Sequence, residues 1–271
     1  MDLDALIAEA STILDAVAGP FLVDYRADSV VRKKGDGFAT EVDLAIERWV
    51  VTALVEITGI GLHGEEFGGT AVYSSWVWVL DPIDGTFNYM AGSPMGAMLL
   101  DLLNHGEPVE GLIWLLFIGE RCTAIASIAL MKNFVLQLPL SYSELSKALV
   151  GIGTFNVDTR SRISGRYRLT MVENLSRPGL QLRMPGSIGT EFSWIANGIL
   201  REEVSCGYHI WDNAEGFALV QTTGGVVIDL VGESWVPASP FVVAATPGVY
   251  SKIIEIICST GELEDYQDVL G

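Results

Sequence analysis

The spacing of apolar residues changes twice along this chain, and those changes limit the folds open to it. Leu3, Leu6, Ile7, Ala10, Ile13, Leu14 and Val17 recur at helical intervals, with Gly19-Pro20 as the expected stop. Thr40-Glu41-Val42-Asp43 reads as a helix start, and Val42, Ala45, Ile46, Trp49, Val50, Ala53 and Leu54 form the stripe the following helix would bury. From Trp76 the pattern turns to β: residues 76–80, 95–103, 109–117 and 121–126 read as strands, with Asn104-His105-Gly106 as a hairpin turn. Farther on, residues 149–154, 180–184, 225–230 and 241–245 are predicted strands, and residues 189–198, 211–223 and 249–259 predicted helices. Residues 24–37 and 132–147 are expected to be connections, and residues 156–168 a polar segment between two strands. Helices first, then antiparallel strands, then alternation predicts a layered α+β or α/β/α sandwich, not a doubly wound parallel sheet.

Composition narrows the partners. The 271 residues are 49% hydrophobic, so a large core can form without disulfides, while 34 Asp+Glu against 16 Lys+Arg leave a formal charge of -18. Such acidity opposes long-range attraction to nucleic acid or anionic lipid, so neither is expected as a partner. Cys122, Cys206 and Cys258 form no C-x-x-C pair and are expected as small buried residues of a protein in a reducing compartment. The amino terminus lacks a basic leader pattern, and residues 111–119, taken as the most apolar window, fall short of the roughly 20 residues of a membrane span. A cytoplasmic protein is the expectation.

The chemistry concentrates where a predicted strand runs into Asp81-Pro82-Ile83-Asp84-Gly85-Thr86. Proline fixes its own φ and restricts the residue before it, so Asp81 and Asp84 sit on a stiff turn. Two carboxylates held close together call for a cation; hard divalent ions take oxygen ligands, and the Ile83 carbonyl is a further donor. Gly85-Thr86 allows close backbone approach and can open a helix whose free N–H groups attract phosphate oxygens. Gly64-Glu65-Glu66 adds carboxylates upstream, and Trp211-Asp212 places another in the first turn of a predicted helix. Glu65, Asp81, Asp84 and Asp212 together supply the oxygen-rich set of a two-metal phosphotransfer site. Bridging cations also explain how so acidic a protein would hold a phosphate ester.

The set Gly64-Glu65-Glu66, Asp81-Pro82-Ile83-Asp84-Gly85-Thr86 and Trp211-Asp212 resembles the inositol monophosphatase family of Mg²⁺-dependent, lithium-sensitive phosphatases, in a bacterial and actinobacterial tone, from Lys33 to about Pro247. The resemblance implies one domain over residues 1–271, divisible near residues 147 and 148, with a five-layered α/β/α/β/α sandwich and a homodimer. It implies two or three Mg²⁺ ions: Glu65, Asp81 and the Ile83 carbonyl on the first, and Asp81, Asp84 and Asp212 on the second. Glu65 and Thr86 would act on the nucleophilic water, Asp43 would partner Thr86, and the Gly85 and Thr86 N–H groups would meet phosphate. Gly186-Ser187 would line the sugar pocket, and Lys33 or Lys34 would reach the phosphate. The implied reaction is hydrolysis of a sugar or polyol phosphate, foremost inositol-1-phosphate, with fructose-1,6-bisphosphate or adenosine 3′,5′-bisphosphate as alternatives.

Three departures matter. Ser205 stands where the family often has a glutamate that bonds a sugar hydroxyl, Glu215 replaces an alanine near Asp212, and residues 128–134 lack the family's glycines although Asn133 remains. They motivate a non-enzymatic alternative, a relative retained for binding a metal or a partner. An aspartyl-phosphate mechanism is excluded by spacing, because two residues and not one separate Asp81 from Asp84. His63 and His209, flanking the glutamate and tryptophan motifs, are expected to pack rather than ligate.

Overall fold

The computed structural model describes residues 2–26, 30–32, 38–125, 129–142, 144, 148–155, 157, 163–207, 209–239 and 241–261, with backbone alone for 30–32. Helix α1 (Leu3–Val23) begins at Asp2, whose side chain accepts the Ala5 N–H at 3.2 Å. It does not stop at Gly19-Pro20. Proline costs one intrahelical bond, but the last turn survives because the Pro20 carbonyl accepts the Asp24 N–H and Phe21 is fully buried. At 21 residues, α1 is long and apolar enough to cross a membrane by composition, which the reading of residues 111–119 as the most apolar window overlooked. In this fold Ile7, Ala10, Leu14 and Val17 pack against α2 (Glu41–Thr58) and the sheet beneath. Residues 24–37 are not wholly loop: β1 (Val30–Arg32) pairs antiparallel with β2 (Phe38–Thr40).

The central segment comprises β3 (Leu62–Gly64), β4 (Gly68–Gly69), β5 (Val77–Asp84), α3 (Thr86–Ala91), β6 (Ala97–Asn104), β7 (Glu107–Leu115), β8 (Glu120–Ile125), β9 (Ala129–Lys132) and β10 (Val135–Leu136). Among the described residues these strands form one sheet in the order β10-β9-β8-β7-β6-β5-β3-β4, antiparallel except for β3 beside β5. Residues 132–147 were expected to be connection only. They contain the turn and second strand of the β9–β10 hairpin, closed by Asn133 and Phe134 at φ 48° and 65°, the mirror-image turn geometry that matches strand twist. The Asn133 side chain compensates for the missing glycine by accepting from Arg121 N and donating to the Gly119 carbonyl.

The remaining elements are β11 (Leu149–Ile152), α4 (Gly165–Ser176), β12 (Gln181–Arg183), α5 (Ile188–Ala196), β13 (Glu202–Ser205), α6 (Ile210–Thr222), β14 (Val226–Ile228), β15 (Val242–Ala245) and α7 (Tyr250–Cys258). Helix α4 and strand β13 were not predicted, and β13 is the middle of the second sheet, β12-β11-β13-β15-β14.

Strand alternation assembles the layers. On β5, Trp78 and Leu80 face α1 and α2, whereas Val77 and Val79 face α5 and α6. The α5–α6 layer also covers Val227, Val242 and Ala244 of the second sheet, and that sheet's other face packs on α4 and α7 through Tyr167, Met171, Ile253 and Ile257. The result is the expected α/β/α/β/α sandwich. Cys122 and Cys206 are buried as expected, but Cys258 is exposed.

Candidate active site

A bulge at the end of β5 builds the site. Asp81 pairs with Leu99 and Asp84 with Ala97, so three steps on β5 oppose two on β6. In a regular strand, residues three apart face opposite sides; the extra residue turns Asp81 and Asp84 toward the same α5–α6 layer. Pro82 fits there because a bulge tolerates the missing N–H, and Ile83 turns back into the α1–α2 core. Gly85 follows at φ +82°, where a Cβ would lie 3.0 Å from the Gly186 carbonyl and 3.1 Å from the Met95 carbonyl.

Asp84 is fixed by the start of α5. Ser187 Oγ donates to its Oδ2 at 2.6 Å, Gly189 N donates to the same oxygen at 2.8 Å, and Ile188 N donates to Oδ1 at 3.1 Å. Burial raises the Asp84 pKa, those donors oppose it, and the balance lies at about 6. Asp81 accepts the Ile83 N–H at 2.9 Å and is pushed well above the usual carboxylate range, first by burial and then by Glu65, Asp84, Asp212 and Asp43. That order of causes places the predicted acids in one electrostatic neighbourhood. Asp212, in the first turn of α6, lines a cavity of about 220 Å³ together with Asp84.

Glu65 is half-buried in the turn between β3 and β4. A residue the sequence reading missed organises that turn: Glu47 of α2, fully buried, accepts the Glu66 and Phe67 N–H groups at 2.8 and 2.9 Å. Its carboxylate occupies the space a Cβ at Gly64 would need. Asp43 forms a capping box with Thr40, accepting both its N–H and its hydroxyl, at 2.7 and 2.5 Å. The Thr86 hydroxyl donates to the Ile83 carbonyl at 3.1 Å, an oxygen whose second lone pair can serve another partner. Gly186, Ser187 and Ser205 line the cavity, joined by Glu191 and Arg168, which the sequence reading did not single out. Lys33 and Lys34 lie outside the described residues, as does residue 128 of the departing loop. His63 and His209 do pack: their rings stack against Trp211 at 6.0 and 4.5 Å.

Glu215 stands close enough to the candidate site for Asp212 and Asp84 to act on it. It is buried in the α5–α6 layer, where burial and then Asp101 of β6 raise its pKa well above normal. Among the described residues no three His, Cys, Asp or Glu side chains are drawn tightly enough to form a ready-made metal cage, and local N–H and O–H donors hold Asp81 and Asp84. The donor set still fits a hard divalent cation: its atoms are carboxylate and carbonyl oxygens, and burial with like charges raises pKa values that a cation would lower.

The model of the inositol monophosphatase family matches residues 2–262. The chain is 57% identical to the probable inositol 1-monophosphatase ImpA of Mycobacterium tuberculosis over 98% of this chain and all of that protein. It is 55% identical to the inositol-1-monophosphatase ImpA of Mycolicibacterium smegmatis, over 97% and 96% of the two chains. In fold it resembles the Thermotoga maritima IMPase, at a TM-score of 0.84 and 19% identity over 95% and 98% of the chains.

Proposed function

This chain belongs to the inositol monophosphatase family of phosphoric monoester hydrolases, and from that premise we propose that it hydrolyses a small polyol phosphate, inositol-1-phosphate foremost, with Mg²⁺. Glu65, Asp81, the Ile83 carbonyl, Asp84 and Asp212 are the residues that would hold the ions. Bound there, the cations would neutralise the ester's charge and acidify an attacking water.

The chain's own groups do the rest. The β5 bulge and the α5 N–H groups fix Asp81 and Asp84 before substrate arrives. Glu47 fixes the turn that carries Glu65, the half-buried carboxylate that would act on the attacking water. Thr86, anchored to Ile83, would orient that water, and the Gly85 and Thr86 N–H groups offer donors to phosphate. Gly186, Ser187 and Ser205 border the cavity for the polyol. The observation that carries the reading is Asp81, a buried carboxyl on which Glu65, Asp84 and Asp212 all act.

Arg168 on the same cavity favours a second reading, a substrate with a second anionic group such as fructose-1,6-bisphosphate. A panel of inositol-1-phosphate, fructose-1,6-bisphosphate and adenosine 3′,5′-bisphosphate with Mg²⁺ tests both. The highest kcat/KM is expected on inositol-1-phosphate, abolished by a chelator; turnover of none by folded protein overturns the enzymatic reading in favour of a binding role.

A further inference from the structure

Among the described residues, five hydrogen bonds tie residues 185–189, where α5 begins, to the corner between β5 and α3, and only three of them end on Asp84. The other two come from Asn88, two residues beyond Thr86 on α3. Its Nδ2 donates to the Pro185 carbonyl at 2.7 Å and to the Gly186 carbonyl at 3.1 Å. Two carbonyl acceptors fix which way the amide points, because the flipped side chain would set its oxygen against both. Gly186 stands at φ +79°, and a Cβ there would lie 3.1 Å from Asn88 Nδ2, so the segment entering α5 is shaped to this contact. The base of the tie is rigid as well: Tyr89, next along α3, is fully buried, donates its hydroxyl to the Phe21 carbonyl at 2.7 Å and packs edge-on against the Phe21 ring. Resting on the reading of Asp84 as a cation ligand, we propose that Asn88 is a positioning residue for the metal-dependent reaction, holding Pro185 and Gly186 so that Ser187 presents its hydroxyl to Asp84.

The need for such a tie follows from how the oxygens are shared. Ser187 Oγ, Ile188 N and Gly189 N all draw on lone pairs of Asp84, the same lone pairs that a cation would claim. Those three bonds bend as the carboxylate turns toward an ion. The two Asn88 bonds end on backbone carbonyls instead, so they keep the start of α5 in register whichever way Asp84 turns. Ser187 Oγ also accepts the Thr190 N–H at 3.2 Å, and Thr190 Oγ1 lies 2.8 Å from it. Drawn away from Asp84, the Ser187 hydroxyl would find a competing acceptor in Thr190. Asn88 thus acts on the cation site through Ser187, without touching ion or substrate itself.

The test is a double-mutant cycle read by calorimetry of Mg²⁺ binding to the full chain without substrate, with thermal unfolding in chelator as the fold control. The site followed is the one that Asp84→Asn removes. Asn88→Ala is expected to weaken Mg²⁺ there about tenfold, the lower end of what a partner that orients a metal ligand contributes. Asn88→Asp keeps the shape but turns a carboxylate on two carbonyls, and should weaken binding at least as much. In Ser187→Ala, where the hydroxyl to be positioned is gone, adding Asn88→Ala should cost less than about a further twofold. Should Asn88→Ala not fold, Asn88→Gln, which keeps the amide but changes its reach, takes its place in the cycle and should show the same dependence on Ser187. An unchanged affinity, or an equal loss with and without the Ser187 hydroxyl, overturns the role of Asn88 and leaves the reading of Asp84 standing. A folded wild type with no Mg²⁺ site that depends on Asp84 overturns both.

Discussion

Two groups of acidic residues occupy this fold under different terms. Asp81 and Asp84 end a strand, where the chain bends and backbone N–H groups come within reach; Asp84 alone receives three donors. Asp101 and Glu202 lie inside sheets, each fully buried with carboxylate oxygens that no donor meets. Burial penalises both groups. At Asp84 the donors hold the pKa at about 6, whereas Asp101 and Glu202 are driven well above the carboxylate range by burial and then by Glu110 and Glu203 respectively. Between Asp84 and the interior acids it is the three donors, not depth, that make the difference. Burial favours the neutral form of the interior acids.

The largest effect expected from this contrast is catalytic. Asp84→Asn keeps the shape and one oxygen acceptor, so it can still accept from Gly189 while its Nδ2 faces the Ile188 N–H, a local loss that should leave the fold in place. The loss of a charged metal ligand should lower kcat/KM by at least about a hundredfold, corresponding to several kcal/mol of transition-state stabilisation. A rate near wild type with Mg²⁺ would move Asp84 into the same class as the interior acids. Next comes stability. Glu202 has a folded pKa raised above its unfolded value, so between those values the native state binds the extra proton. Its contribution is fully present below the unfolded pKa and is lost as pH rises toward the folded one. In chelator, Glu202→Gln should therefore leave stability at pH 4 nearly unchanged and raise it at pH 8, by about 1.4 kcal/mol for each unit of that pKa shift crossed. Urea unfolding at both pH values measures this, and equal effects at the two would mean that Glu202 is ionised inside the sheet.

The same contrast governs what is legible in the sequence. The site motif can be read directly because Asp81, Pro82, Ile83, Asp84, Gly85 and Thr86 are adjacent, and few local structures besides a cation site call for two carboxylates at the end of an apolar strand. The bulge that makes those carboxylates share a face cannot, since it exists only against β6. Strand β13 escapes notice because Glu202-Glu203 reads as a solvated pair, whereas here both residues are buried in the middle of a sheet covered by helices on both faces. Glu47 and Glu191 escape for a related reason: an acid on a helix is assigned to water until a tertiary partner appears. Helix α4 does leave a signal, since Ile163, Tyr167, Met171 and Leu175 step by four, but the polar run before it hides the start.

A smaller change probes the donors themselves. Ser187 caps α5, accepting the Thr190 N–H at 3.2 Å while its hydroxyl donates to Asp84. In Ser187→Ala the lost cap should cost about 1 kcal/mol of stability. The more diagnostic consequence lies at Asp84, where the Ser187 bond is the first of the influences that lower the pKa. Without it the folded pKa rises above about 6, the ionised fraction at pH 6 falls, and cation binding that needs the carboxylate weakens there. At pH 8 Asp84 should be ionised in both proteins. The acid limb of the kcat/KM profile should therefore move to higher pH, with a larger deficit at pH 6 than at pH 8. A uniform loss across that range would mean that Ser187 supports only the helix and that the N–H groups of Ile188 and Gly189 suffice to keep Asp84 charged.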